Sequence, residues 1–212
     1  FLKLIDFSLI FLFVIFLFSP IFFIFLETAK SNFSNIILDH YFIEAFNNSI
    51  IISFITGFLV SFIGLIISYI LVLNHKNVLV QQTLFILSSI IIIISPIIFS
   101  LGYFIYFQPL IHIEYVKFII VILINAIFLL PFAVLIFFNN LKNIYLTFED
   151  YKKTYRINFI NYFRIIFPLF KKNFLYVFSF STVITFGDFT IISFFRSNNF
   201  ETLPSYLYRL IS

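Results

Sequence analysis

Five stretches of this chain, residues 7–26, 50–73, 84–107, 118–138 and 174–195, are nearly unbroken runs of apolar side chains. The first four hold no charged residue, and the fifth holds only Asp188. A helix needs about 20 such residues, at 1.5 Å each, to cross a bilayer. Backbone groups inside lipid must be satisfied within the segment, which a helix does by itself. The expected fold is therefore all-α, a polytopic membrane helix bundle with about five transmembrane helices. Charged residues make up 10% of the chain, against about 25% in a soluble domain, too few to coat a water-facing surface. The first run exceeds the usual core of a signal peptide and is followed by no small-residue cleavage site, so it reads as a retained helix. Membrane lipid is the expected surrounding. The net charge of +4 is dispersed between apolar runs, an orientation signal rather than a footprint for nucleic acid.

Orientation follows from Lys and Arg in the connecting segments. Segments 1–6, 74–83 and 139–173 hold nine, whereas 27–49, 108–117 and 196–212 hold four. The nine-positive side is expected to be cytoplasmic, with the amino end inside and the carboxyl end outside.

The second run carries a legible face. Ser53, Gly57, Ser61, Gly64 and Ser68 recur at steps of four, four, three and four, which keeps them on one stripe of a helix. Small residues let helix backbones approach closely in lipid. The stripe reads as a helix–helix contact, with a substrate pathway as the alternative. Pro96 and Pro131 interrupt the third and fourth runs and predict kinks. Asn125 is a polar group within the fourth run and must face protein or water. In the fifth, Ser181, Thr185 and Asp188 follow one another at steps of four and three, predicting one polar face. A carboxylate at membrane depth costs roughly 2.5–3.5 kcal/mol on insertion scales and so faces a bundle interior, a partner or a wet path.

Segment 139–173 is more than a connector. It carries seven basic and two acidic residues. Its apolar residues Phe148, Tyr151, Tyr155, Phe159, Tyr162, Phe163 and Ile166 have largely helical spacing. Thr147 is a candidate helix cap, with Glu149 and Asp150 in the first turn, where carboxylates suit the helix dipole. Pro168 is expected to end the helix. Such a basic amphipathic helix could lie on an anionic leaflet or simply set topology.

The block Glu149-Asp150-Tyr151, ending in Ile166-Phe167-Pro168, resembles the EAA motif of binding-protein-dependent ABC importer permeases. Glu149 matches its first position. Asp150 and Tyr151 stand where the motif has alanines, and Tyr155 stands at its glycine. Asn48-Ser49 resembles the start of the permease core. Gly187-Asp188-Phe189 and Thr202-Leu203-Pro204-Ser205-Tyr206-Leu207-Tyr208 are similar to the thiamine-type permeases of that family, with ferric-iron permeases as the next nearest.

The resemblance implies two parts: residues 1–48 as a first helix and extracytoplasmic loop, and 49–212 as a permease core. It implies a multi-pass protein of the bacterial inner membrane, the carboxyl-terminal half of a longer permease, with one further helix expected after Ser212. It also implies partners: a cytoplasmic ABC ATPase, a periplasmic binding protein and the other permease half. Glu149, Asp150, Tyr151, Tyr155, Ile166 and Pro168 would form the ATPase-coupling segment. Asn125, Ser181, Thr185 and Asp188 would line a substrate path or the bundle interior. A negative group among aromatic residues would suit a cationic, aromatic substrate such as thiamine.

No G-x-x-x-x-G-K-[ST] phosphate loop is present, so ATP and Mg are expected on the partner, with no cofactor held by this chain. The absence of cysteine excludes disulfides and thiolate sites. His40, His75 and His112 fall in connecting segments without metal-ligand spacing. An enzyme is not expected. A channel or structural membrane subunit is the alternative of a different class.

Overall fold

The computed structural model describes the backbone at residues 2–30, 39–74, 77–155, 159–197 and 200–211. Side chains are described there except at 2–6, 24–25, 27–30, 80, 84, 145–155, 159–167 and 169. Among the described residues the chain is helical, with no strand beyond a single bridge between Ser197 and Phe200. It divides into two compact units, residues 1–43 and 44–212.

The amino-terminal unit contains helix α1, Leu2–Lys30, and the first residues of α2, His40–Leu73. Pro20 lies inside α1, and the Ser19 hydroxyl donates to the Phe16 carbonyl at 3.2 Å. The described side chains of α1, Phe7 to Phe23 and Leu26, are all exposed.

The second unit is built around α2, α5 (Glu114–Tyr155) and α6 (Phe159–Phe186). Ring contacts fix their directions. Phe46 meets Phe186, and Phe54 meets Phe178, so α2 and α6 are antiparallel. Phe132 meets Phe180, and Phe137 meets Phe170, so α5 and α6 are also antiparallel. Helices α2 and α5 therefore run the same way. Val60, Val72, Ala133, Phe137, Phe170 and Val177 form one buried cluster of this core. The outward sides of α2 and α5 remain apolar: Phe54, Phe58, Phe62, Ile66 and Ile119 are exposed.

Two helical segments, His40–Leu73 and Glu114–Ile144, are long and apolar enough to cross a membrane, or three if one bent pair counts as a span. The expected count of five is thus not met by length and apolarity among the described residues. Residues 7–23 form a shorter apolar helix. The third run does not form one kinked helix. It divides into α3 (Val78–Ser89), a 3-10 turn (Ile90–Ile93) and α4 (Pro96–Tyr106), with an 89° bend between the arms. Ser95, immediately before Pro96, is extended at φ −63°, ψ 133°. A residue before proline is driven out of the helical region, while proline suits the first position of a new helix.

The fifth run is also divided. Helix α6 ends at Phe186, and a short helix, α7 (Ile192–Phe195), follows a turn. Conversely, the expected helix start at Thr147 and the expected stop at Pro168 both lie inside helices. Helix α5 passes through Pro131 and through Thr147, which is not a helix start because the helix began 33 residues earlier. Helix α6 passes through Pro168. A proline costs a helix interior about 3 kcal/mol. Packing of neighbouring residues, such as buried Phe170 on Phe137, opposes that cost. The last helix is α8, Leu203–Ile211.

Candidate functional site

The small stripe of α2 lies inside the core. Ser53, Gly57, Ser61, Gly64 and Ser68 are all buried. A Cβ at Gly57 would collide with the Thr182 methyl group and approach the Phe178 carbonyl to 3.1 Å, both on α6. A Cβ at Gly64 would stand 2.7 Å from the Ala133 Cβ on α5. The stripe thus serves two neighbours, one at each glycine. Ser61 donates to the Gly57 carbonyl at 2.8 Å and Ser53 to the Ile50 carbonyl at 3.0 Å. Ser68 instead crosses to α5, donating to the Val134 carbonyl at 3.2 Å.

Asn125, Ser181 and Thr185 are buried, at 3%, 1% and 2% exposure. Asp188 is half-buried and does not continue the face of α6, because it lies beyond the helix end. Gly187 is a weak helix former, and the Asp188 carboxylate offers the backbone another partner. Its Oδ1 accepts the Thr190 N–H at 3.0 Å and its Oδ2 the Ile191 N–H at 3.3 Å. The buried Asn125 side chain donates from Nδ2 within its own helix, to the Val121 carbonyl at 3.1 Å. A carboxylate offers about four lone-pair sites. Two of those on Asp188 are engaged in holding the turn between α6 and α7, and Ile191 and Ile192 beyond it pack on Ile120 to Ile124 of α5.

Two hydroxyls of this core, Thr56 Oγ1 and Thr185 Oγ1, are fully buried without a hydrogen-bond partner. Sequence reading passed over Thr56, although its place beside Gly57 and three residues after Ser53 puts it near the same face.

A second cluster joins the far end of the chain to the start of α2. The Ser49 hydroxyl accepts the Leu203 N–H at 2.7 Å, and Asn48 Nδ2 donates to the Glu201 carbonyl at 3.0 Å. Thr202 and Ser205 close the first turn of α8, the Thr202 N–H donating to Ser205 Oγ at 2.9 Å, which satisfies a donor that a helix start leaves open. Glu201 holds Arg196 at 3.2 Å and Arg209 at 3.1 Å. Lys117, buried near the start of α5, donates from Nζ to Ser197 Oγ at 2.6 Å. The Phe189 and Tyr208 rings pack at 4.8 Å. Sequence reading singled out Asn48-Ser49 and the Thr202–Tyr208 block separately. Nothing in the sequence signals Lys117 or Arg196, because the partner of each lies on a different element or turn.

Of the expected coupling residues, Glu149, Asp150, Tyr151 and Tyr155 fall in the last turns of α5 and Ile166 in α6. Their side chains lie outside the described residues. Pro168 is exposed on α6. Among the described residues, no group of three or more His, Asp or Glu is placed to hold a metal ion. No protein-family model matches the chain, and no curated protein sequence matches it.

Proposed function

We propose that this chain is a permease subunit of an ATP-driven ABC importer of the bacterial inner membrane, with thiamine as its substrate. The reading rests on the resemblance of the Glu149–Pro168 and Thr202–Tyr208 blocks. One structural observation supports it above others: Asn48-Ser49 and Glu201–Ser205, more than 150 residues apart, form a single hydrogen-bonded unit. Sequence blocks that carry one resemblance thereby belong to one structural piece. Parallel α2 and α5 with antiparallel α6 also suit a bundle in which α2 and α5 cross the bilayer in one direction, the bent segment between them returns the chain, and α6 crosses back, with α1 as a further crossing.

In this reading the segment around Glu149 to Pro168 docks on a cytoplasmic ATPase, which binds ATP and Mg. A periplasmic binding protein delivers substrate to the outer segments, and the other permease half completes the path. ATP-driven closure of the ATPase moves the docked segment, and rocking of the bundle alternates access. Asn125, Ser181, Thr185 and Asp188 stand at the polar part of the core nearest the outer cluster. The test is uptake. Cells carrying the complete transporter should accumulate labelled thiamine only while ATP is available. Uptake of ferric iron without thiamine would overturn the substrate and leave the permease reading. Passive flux independent of an ATPase would favour a channel.

A further inference from the structure

Helix α8 carries an unfinished apolar stripe. Leu203, Tyr206, Leu207, Leu210 and Ile211 follow the steps of three, one, three and one that mark one helix face. The protein covers only the beginning of it. Tyr206 is buried, whereas Leu207 is 46%, Leu210 60% and Ile211 88% exposed.

The height of this helix along the bundle is fixed at three points. Its first N–H is held by Ser49, the residue immediately before the apolar run 50–73. The preceding turn is held through Ser197 by Lys117, the residue immediately before the run 118–138. Both anchors mark the level at which apolar sequence begins. The third point is Tyr208, whose ring packs on Phe189. Phe189 stands two and three residues before Ile191 and Ile192, which share a buried cluster with Ile120 to Ile124, three to seven residues inside α5 from Lys117, about 5–10 Å at 1.5 Å per residue. A helix pointing away from the bundle could not bring Tyr208 back to that level. Helix α8 therefore starts at the boundary plane and runs along it or slightly inward. Arg209 lies over the Tyr206 ring at 5.3 Å, and cationic and aromatic side chains of this kind favour the headgroup layer.

We propose that α8 is an interfacial helix, with Leu207, Leu210 and Ile211 inserted at the headgroup–acyl boundary of the leaflet at that end of the bundle. Its partner is the phospholipid surface itself. The proposal depends on α2 and α5 crossing the bilayer.

The chain contains no Trp, so Ile211→Trp supplies a single indole. Phe58→Trp, at an exposed site midway along α2, is the reference. Each purified full chain is reconstituted into phosphatidylcholine–phosphatidylglycerol vesicles with bromine placed either near the headgroup end or near the tail end of the acyl chains. Ile211→Trp should be quenched most by the shallow bromines, and Phe58→Trp most by the deep ones. Leu210→Trp repeats the measurement on the same stripe if the first variant fails to reconstitute. Quenching at position 211 by aqueous acrylamide alone overturns the proposal, because the stripe is then in water. Protection from both lipid and aqueous quenchers overturns it in favour of a protein partner. Strongest quenching by the deep bromines overturns it in favour of a crossing helix. If Phe58→Trp also escapes lipid quenching, the membrane-spanning reading fails with it; if Phe58→Trp alone is quenched, only the placement of α8 fails.

Discussion

The Ser49 hydroxyl accepts the backbone N–H of Leu203 at 2.7 Å, tying the first turn of α8 to the start of the α2 apolar run across 154 positions of sequence. Its loss leaves a helix-start donor without its acceptor in a half-buried setting, at a cost of about 1–3 kcal/mol. Ser49→Ala should lower the midpoint of thermal unfolding in detergent, and Ser49→Thr should recover most of the loss. An unchanged midpoint in the alanine variant would show that water replaces the contact.

Close packing predicts an ordering within α2. Gly57→Leu and Gly64→Leu force side chains against α6 and α5, and overpacking of this kind costs about 1–3 kcal/mol or more. Leu59→Phe and Ile66→Phe, at a half-buried and an exposed site, should be milder. Yield of folded protein and thermal midpoint measure the difference, and equal tolerance at all four positions would contradict the packing.

The charge asymmetry of the connecting segments predicts sidedness. Tyr115 is 81% exposed and Asn143 is exposed, and the native chain has no cysteine to interfere. An impermeant thiol reagent applied outside intact cells should label Tyr115→Cys and spare Asn143→Cys. The opposite pattern would invert the orientation.

The proposed coupling role of the segment around Glu149 predicts a functional defect without a folding defect. Glu149→Arg should uncouple transport from ATP hydrolysis while the protein remains in the membrane. Glu149→Gln should be mild if the carboxylate contributes only a helix-charge effect. Normal uptake and normal ATPase stimulation in the charge-reversed variant would count against a docking role.

Asp188 separates architecture from transport. Removing its caps on Thr190 and Ile191 by Asp188→Ala should cost about 0.5–2 kcal/mol, the range for a lost cap. Asp188→Asn retains one acceptor and should be less destabilising. Reduced uptake by the asparagine variant at wild-type thermal midpoint would point to a role for the charge in transport; full uptake would confine Asp188 to holding the turn.

The legible parts of this fold were those governed by local chemistry. Apolar runs identified the helical class and the bodies of α2 and α5, and the spacing of Ser53 to Ser68 marked a face that is buried throughout. Prolines were read less well, because their effect depends on position. Pro96 opens a helix after an 89° bend, whereas Pro168, expected to end one, remains inside a helix. Asp188 was misplaced on a continuous helix because capture of two downstream N–H groups by its carboxylate competes with periodicity. The cluster joining Ser49, Lys117 and Leu203 was hidden for a different reason. Lys117 and Ser197, or Asn48 and Glu201, meet only after the bundle has formed.

Helix α5 runs for 42 residues without a break in its helical course, about 63 Å at 1.5 Å per residue, roughly twice the hydrocarbon thickness of a bilayer. One end carries Lys117 and its link to the outer turn; the other carries Glu149. The two ends are therefore joined by one helix. A tilt imposed at the foot has a path to the head along that helix itself, besides any chain of contacts between helices. Gly64 and Ala133 meet between those ends, so a close contact of α2 with α5 lies where such a helix would have its fulcrum.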